Sequence, residues 1–164
     1  MLIQNPITHE NQQSVRMRLQ GTSPLVLQSA ESTHPPIPCI DIHQTLYAGI
    51  IKNIIIAVAP RYVNYRLRKS IFISGTNNNW LDLKCEDFCI QTSQLRRHNG
   101  IMEIRHTPQF KTWSCDFSLI YVPDVLKIEY IRSLLECAGR DIGIGERRPE
   151  KGGDFGRFTA YLCG

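Results

Sequence analysis

"FKTWSCDFSLIYVPDVLKIEYIRSLLECAG", residues 110–139, changes its apolar period halfway along. Up to Val122, the residues Trp113, Cys115, Phe117, Leu119 and Tyr121 recur at every second position, which predicts a half-buried strand over 110–122. After Pro123, Leu126, Tyr130, Leu134, Cys137 and Ala138 fall along one side of a helix, predicted over 123–139 with Gly139 as its C-cap. A strand that feeds directly into an amphipathic helix is half of a repeating unit.

The other half precedes it. "SVRMRLQG" (14–21) alternates Val15, Met17 and Leu19 against Arg16, Arg18 and Gln20, a second half-buried strand that stops at the turn signal "GTSP". "LVLQSAESTHPPIP" is an irregular connection whose prolines exclude regular helix. "CIDIHQTLYAGIIKNIIIAVA" (39–59) then places Ile42, Leu46, Ile50 and Ile54 at helical spacing, with Asp41 as N-cap. "KSIFISG" (69–75) reads as a short strand. "CIQTSQLRR" (89–97) and "GIMEIRHT" (100–107) bracket "HNG" as a hairpin. "RFTAYL" (157–162) is the last strand.

Without its hairpins the chain runs strand, helix, strand, strand, helix, strand. That order predicts an α+β, ferredoxin-like (RRM-like) βαββαβ sandwich. It has an antiparallel sheet, both helices on one face, extra hairpins and a C-terminal glycine-rich loop. In this reading the first strand lies in the sheet's centre and the last beside the second core strand. Residues 1–13 form a polar N-terminal arm and 14–164 a single domain.

The 164 residues, 42% hydrophobic and 21% charged, suit one soluble globular domain. "IIKNIIIAVA" (50–59) is too short and too interrupted to span a bilayer, and the polar opening "MLIQNPITHENQQS" does not read as a signal peptide. Six cysteines without a secretory signal point to a reduced, cytoplasmic protein. Cys85, Cys89, His98 and His106 are the one conceivable zinc set. Their spacing fits no strong pattern, so neither a metal nor another cofactor is expected.

Charge is informative through its distribution. The net charge is only +4, yet "RYVNYRLRK" (61–69) holds four positive residues and no negative one, interleaved with Tyr62 and Tyr65. Such a segment suits a sugar-phosphate strand whose bases stack on rings; the competing reading is a solvated basic turn. In "GIGERRPEKGGDFGRF" (143–158), Arg147, Arg148, Lys151 and Arg157 are offset by Glu146, Glu150 and Asp154. An anion held there needs directed contacts, which Gly152 and Gly153 would permit by letting backbone approach a phosphate.

"VRMRLQGTSPLV" and "GIGERRPEKGGDFGRF" together resemble the hallmarks of RAMP proteins, the ferredoxin-like RNA-binding proteins of CRISPR systems. The resemblance covers most of 14–162. The family's glycine-rich loop before the final strand is matched by Gly143, Gly145, Gly152, Gly153, Gly156 and Arg157. The chain is also similar to a group of small phage and prophage proteins. These share "GTSPLL", "P.F..W" (here Pro108, Phe110 and Trp113) and "AGR..GIG..RPE.GG.FGRF". It departs from the superfamily in having no second glycine-loop domain and no unmistakable catalytic histidine.

The resemblance implies a non-catalytic, phage-type protein of the bacterial cytoplasm that binds single-stranded nucleic acid, RNA favoured, as CRISPR backbone subunits do. The expected contacts are Arg16, Arg18, Tyr62, Tyr65, Arg66, Arg68, Lys69, Arg147, Arg148, Lys151, Gly152, Gly153 and Arg157. One alternative is an anti-defence interaction protein that mimics or blocks a host CRISPR-type complex, or assembles on itself. The other is a metal-independent endoribonuclease using His34 or His43 as general acid/base. No catalytic residue is otherwise expected.

Overall fold

The computed structural model describes residues 11–27, 45–75 and 79–164. In chain order its elements are β1 (Gln13–Gly21), β2 (Leu25–Val26), β3 (Thr45–Tyr47), α1 (Ala48–Val58), α2 (Arg61–Ser70), β4 (Ile71–Ser74), β5 (Trp80–Arg96), β6 (Met102–Tyr121), α3 (Ile128–Asp141), a 3-10 turn (Pro149–Lys151) and β7 (Phe158–Cys163). This is an α+β chain with a seven-stranded sheet among the described residues, every pairing antiparallel.

β6 is the axis of the sheet. β1 and β2 pair along one edge of it, through Met17↔Phe117 and Leu25↔Phe110, while β4 and β5 share the other, through Ile73↔Leu119 and Leu83↔Cys115. β7 flanks β1 and β3 flanks β5, giving the order β3-β5-β6-β1-β7. The first strand is central, as expected. The last strand is not beside the second core strand: it pairs with β1 through Leu19↔Ala160. The cause is local, because the N–H of Thr22 donates to the carbonyl of Arg157 at 2.8 Å and so sets Phe158 opposite Gly21.

The alternation in β1 and β6 divides the sheet as the sequence predicts. Met17, Leu19, Cys115, Phe117 and Leu119 are buried with Ile51 and Ile55 of α1 and with Ile131, Leu134 and Leu135 of α3. Both helices therefore cover one face. The other carries Arg16, Arg18, Gln20, Ser114, Asp116 and Ser118. A bulge at Lys111, which the register skips between Thr112 and Phe110, turns Phe110 into the core in its place.

Several boundaries differ from the sequence reading; α3 begins at Ile128 and not at Pro123, and β5 at Trp80 and not at Cys89. The helix expected over 39–59 begins at Ala48, and Leu46 belongs to a short strand opposite Leu81. The proposed cap Asp41, with Cys39 and Ile42, lies outside the described residues. Burial of Ile51, Ile54 and Ile55 sustains α1 although β-branched residues are middling helix formers. The two strands inferred at 100–107 and 110–122 are one. Pro108 is tolerated within it because, among the described residues, β6 has only β5 as a partner there. Gly139 does not end α3. It lies inside the helix, where a Cβ would collide with the Phe158 carbonyl, and the helix ends at Asp141, followed by the cap Ile142 and then Gly143, whose φ is 72°.

Beyond Cys89 and Gln109, β5 and β6 have no other partner among the described residues and continue as a two-stranded ribbon closed by a turn at 97–101. Leu95, Ile101, Met102 and Ile104 are exposed near its tip. No helix among the described residues is long and apolar enough to cross a membrane.

Candidate nucleic-acid interface

The segment 61–69 is a helix. Pro60 ends α1 and precedes the first turn of α2, and Leu67 and Ser70 are its buried positions. That anchorage leaves Arg61, Tyr62, Tyr65, Arg66, Arg68 and Lys69 exposed, with Tyr62 84% and Tyr65 66% accessible. Lys69 donates to the Tyr65 hydroxyl at 2.5 Å and lies 4.3 Å from the centre of its ring. One helical turn thus holds a cation and a ring together.

Two neighbours absent from the sequence reading enlarge this patch. Lys52 of α1 donates to the Arg68 carbonyl at 2.7 Å and stands 5.0 Å from the ring of Phe72, itself 43% exposed on β4. Partial burial, and then the charge of Arg68, lower the Lys52 pKa. From Ile42 to Leu81 the sequence has no Asp or Glu, while Lys52, Arg61, Arg66, Arg68 and Lys69 all fall within that run. The missing carboxylates were legible before folding; the position of Phe72 beside Lys52 was not.

The glycine-rich loop is built differently. Its backbone is laced to the segment after β1: Glu146 N–H donates to Val26 carbonyl at 2.7 Å and Gly156 N–H to Pro24 carbonyl at 2.8 Å. It is also laced to itself, Ile144 N–H to Gly156 carbonyl at 2.9 Å and Phe155 N–H to Arg147 carbonyl at 3.1 Å. A Cβ on Gly153 would collide with the Arg147 carbonyl, and one on Gly156 with that of Ile144. These glycines let the chain approach itself. Gly152, with φ 80° and open space around it, ends the 3-10 turn.

The loop's cations separate into two kinds. Arg148 is held by Glu150 at 2.7 Å and by the Gly145 carbonyl at 3.0 Å, and Arg157 by Asp154 at 3.2 Å. Arg147 and Lys151 are exposed, and Arg147 adopts φ 53°, the one non-glycine residue with positive φ among those described. On the open face of the sheet, Arg18 is bound to Asp116 through two bonds of 2.6 and 3.0 Å, with Lys84 on the same carboxylate at 2.7 Å. Arg16 is exposed beside them.

The expected contacts do not converge on one pocket. The C-terminal end of α2 meets the sheet where Ile71 pairs with Tyr121, whereas the glycine loop is pinned where Val26 pairs with Gln109. At about 3.3 Å per residue, the stretch of β6 between those positions is at most roughly 40 Å long. Among the described residues, no group of three or more His, Cys, Asp or Glu side chains is placed to hold a metal. His34 and His43 lie outside the described residues. Neither a family model nor a curated protein matches this sequence.

Proposed function

We propose that this protein binds single-stranded nucleic acid, RNA in preference to DNA, and does no chemistry on it. The observation that carries the reading is α2: four cations and two exposed tyrosines on one short helix, in a stretch with no compensating carboxylate. Phosphates gain from the uncompensated charge, and bases stack on Tyr62 and Tyr65. Arg147 and Lys151 are the loop's contributions, while Arg18, Arg148 and Arg157 each already pair with a carboxylate of the chain. A strand that touches both regions runs along the molecule.

The strand order supports a ferredoxin-like arrangement. With β4 and β5 taken together as the second core strand, β7, β1, β6 and that pair give four adjacent antiparallel strands, with α1 and α3 on one face. RAMP proteins use this arrangement, and the preference for RNA and the cytoplasmic, phage-type setting rest on that resemblance. The test is fluorescence anisotropy of labelled single-stranded RNA and DNA over a salt series. Binding that weakens steeply with salt and favours RNA is expected; no binding at low salt would overturn the proposal.

One observation favours a second reading, an interaction protein that joins or blocks a host CRISPR-type complex. The ribbon of β5 and β6 exposes Leu95, Ile101, Met102 and Ile104 beyond the core, and apolar groups displayed this way suit a protein partner. Light scattering with and without RNA separates self-assembly from binding as a monomer.

A further inference from the structure

A cleft of about 690 Å³ lies between the glycine loop and α1. One wall is Ile50 and Ile54 of α1 with Tyr47 and Trp80; the other includes Ile144, Arg148 and Lys151. Its size falls within the range of small-molecule sites, as does its mixture of apolar walls with a few polar groups. We infer that this cleft receives a single nucleotide, its base against Trp80 and Tyr47 and its phosphate at Lys151. The inference rests on the nucleic-acid reading and assigns it a second, separate contact.

Three features specify that occupant. First, Trp80 and Tyr47 meet edge to face, with ring centroids 5.6 Å apart, and both remain nearly half exposed. Paired rings held open to a cleft are a platform for a planar ligand, and stacking accepts any base. Second, the rim carries both signs, Arg148 and Lys151 alongside Glu146 and Glu150, so a phosphate there needs a directed contact and not a net positive field. Arg148 is neutralised by Glu150, but Lys151 is exposed and Arg147, next to the lining, projects from a left-handed backbone. An anion at the rim and an aromatic group inside describe a nucleotide. Third, the rings come from β3 and β5 and the cation from the loop, so the 3-10 turn at Pro149–Lys151 sets their separation.

The probes are uridine and adenosine 5′-monophosphates, with the unphosphorylated nucleosides and inorganic phosphate beside them, titrated into the full chain by calorimetry and Trp fluorescence. Both monophosphates should bind and quench the indole emission, and phosphate alone should not quench. Trp80→Ala should weaken monophosphate binding about tenfold or more, as expected for loss of a stacked ring, while Trp80→Phe keeps most of it. Lys151→Ala should weaken the monophosphates and leave the nucleosides unchanged. If single-stranded RNA binds but the monophosphates do not, or if Trp80→Ala binds them as the parent does, the cleft is no nucleotide site and the α2 reading stands. If RNA fails to bind as well, both fall.

Discussion

Trp113 donates its indole N–H to the carbonyl oxygen of Ser23 at 2.8 Å. This bond crosses from the sheet's central strand to the turn after β1, and the Ser23 hydroxyl in turn accepts from the N–H of Arg157 at 2.9 Å. The core residue and the glycine loop therefore share one support. Trp113→Ala should cost about 3–5 kcal/mol, as large aromatic truncations do. Trp113→Phe should cost less, since it keeps a ring but strands the Ser23 carbonyl. Urea denaturation measures both, and an unchanged midpoint for Trp113→Ala would contradict this placement.

Gly153→Val should abolish the loop's present path while leaving secondary structure in place. The new side chain meets the Arg147 carbonyl, so the backbone that presents Arg147 must move. Nucleic-acid affinity is expected to fall with an unchanged far-UV circular dichroism spectrum. Gly152→Ala meets no neighbour and bears only the left-handed strain of about 1–2 kcal/mol. A folded Gly153→Val that binds normally would make the loop a connector.

On α2, charge and ring should separate experimentally. Replacing Arg66, Arg68 and Lys69 with alanine should weaken RNA binding and flatten the slope of log K against log salt by about 0.7 for each phosphate contact removed. Tyr65→Ala removes a stacking ring worth about 1–3 kcal/mol and should barely change that slope. Anisotropy titrations at several salt concentrations read both quantities. Unchanged affinity and slope in the triple variant would leave α2 a solvated helix.

Asp116 makes stability depend on acid. Its hydrogen bonds from Arg18, together with the charges of Arg18 and Lys84, hold its carboxyl well below the usual carboxylate range, against the opposing effect of burial. A carboxyl depressed in the folded state stabilises above its unfolded pKa, and that contribution is lost as pH falls toward the folded value. Stability should therefore decline below about pH 4. Asp116→Asn should be less stable at neutral pH and lose less on acidification. Parallel melting curves for the two proteins across that range would contradict this.

Cys115 should resist thiol reagents. Burial pushes its pKa up to about 12, with the charge of Asp116 adding to the effect. Peptide mapping after brief alkylation at mildly alkaline pH should leave Cys115 unmodified in the folded protein and label it after denaturation. Rapid native labelling would mean that the sheet's centre opens.

The clear periodicities in the sequence marked much of this fold. Met17 and Leu19 in β1 and Phe117 and Leu119 in β6 alternate without interruption, and each is buried as that pattern requires. What the sequence concealed was set by distant contacts. Leu46 reads as part of a helix but pairs with Leu81, and Gly139 reads as a cap until Phe158 is seen against it. In the candidate site, the cations of α2 were evident as a run of residues. The partners that neutralise Arg18 and Arg148 were not, because a list of positive residues does not show which are already matched. The cleft was hidden altogether, since it joins Tyr47 and Trp80 to a loop far along the chain.

β1 lies between β6 and β7, with Met17 paired to both Phe117 and Leu162. A chain made from its N-terminus must therefore add about 100 residues after Met17 before this strand meets Phe117 and about 145 before it meets Leu162. Until Phe117 arrives, Met17 and Leu19 have no sheet to cover them, and both edges of the strand are open. Contacts so widely spaced in sequence make for slow folding, and a growing chain in that condition is prone to aggregate. Folding in the cell should thus be most sensitive until β7 and the loop that precedes it arrive together and close the sheet.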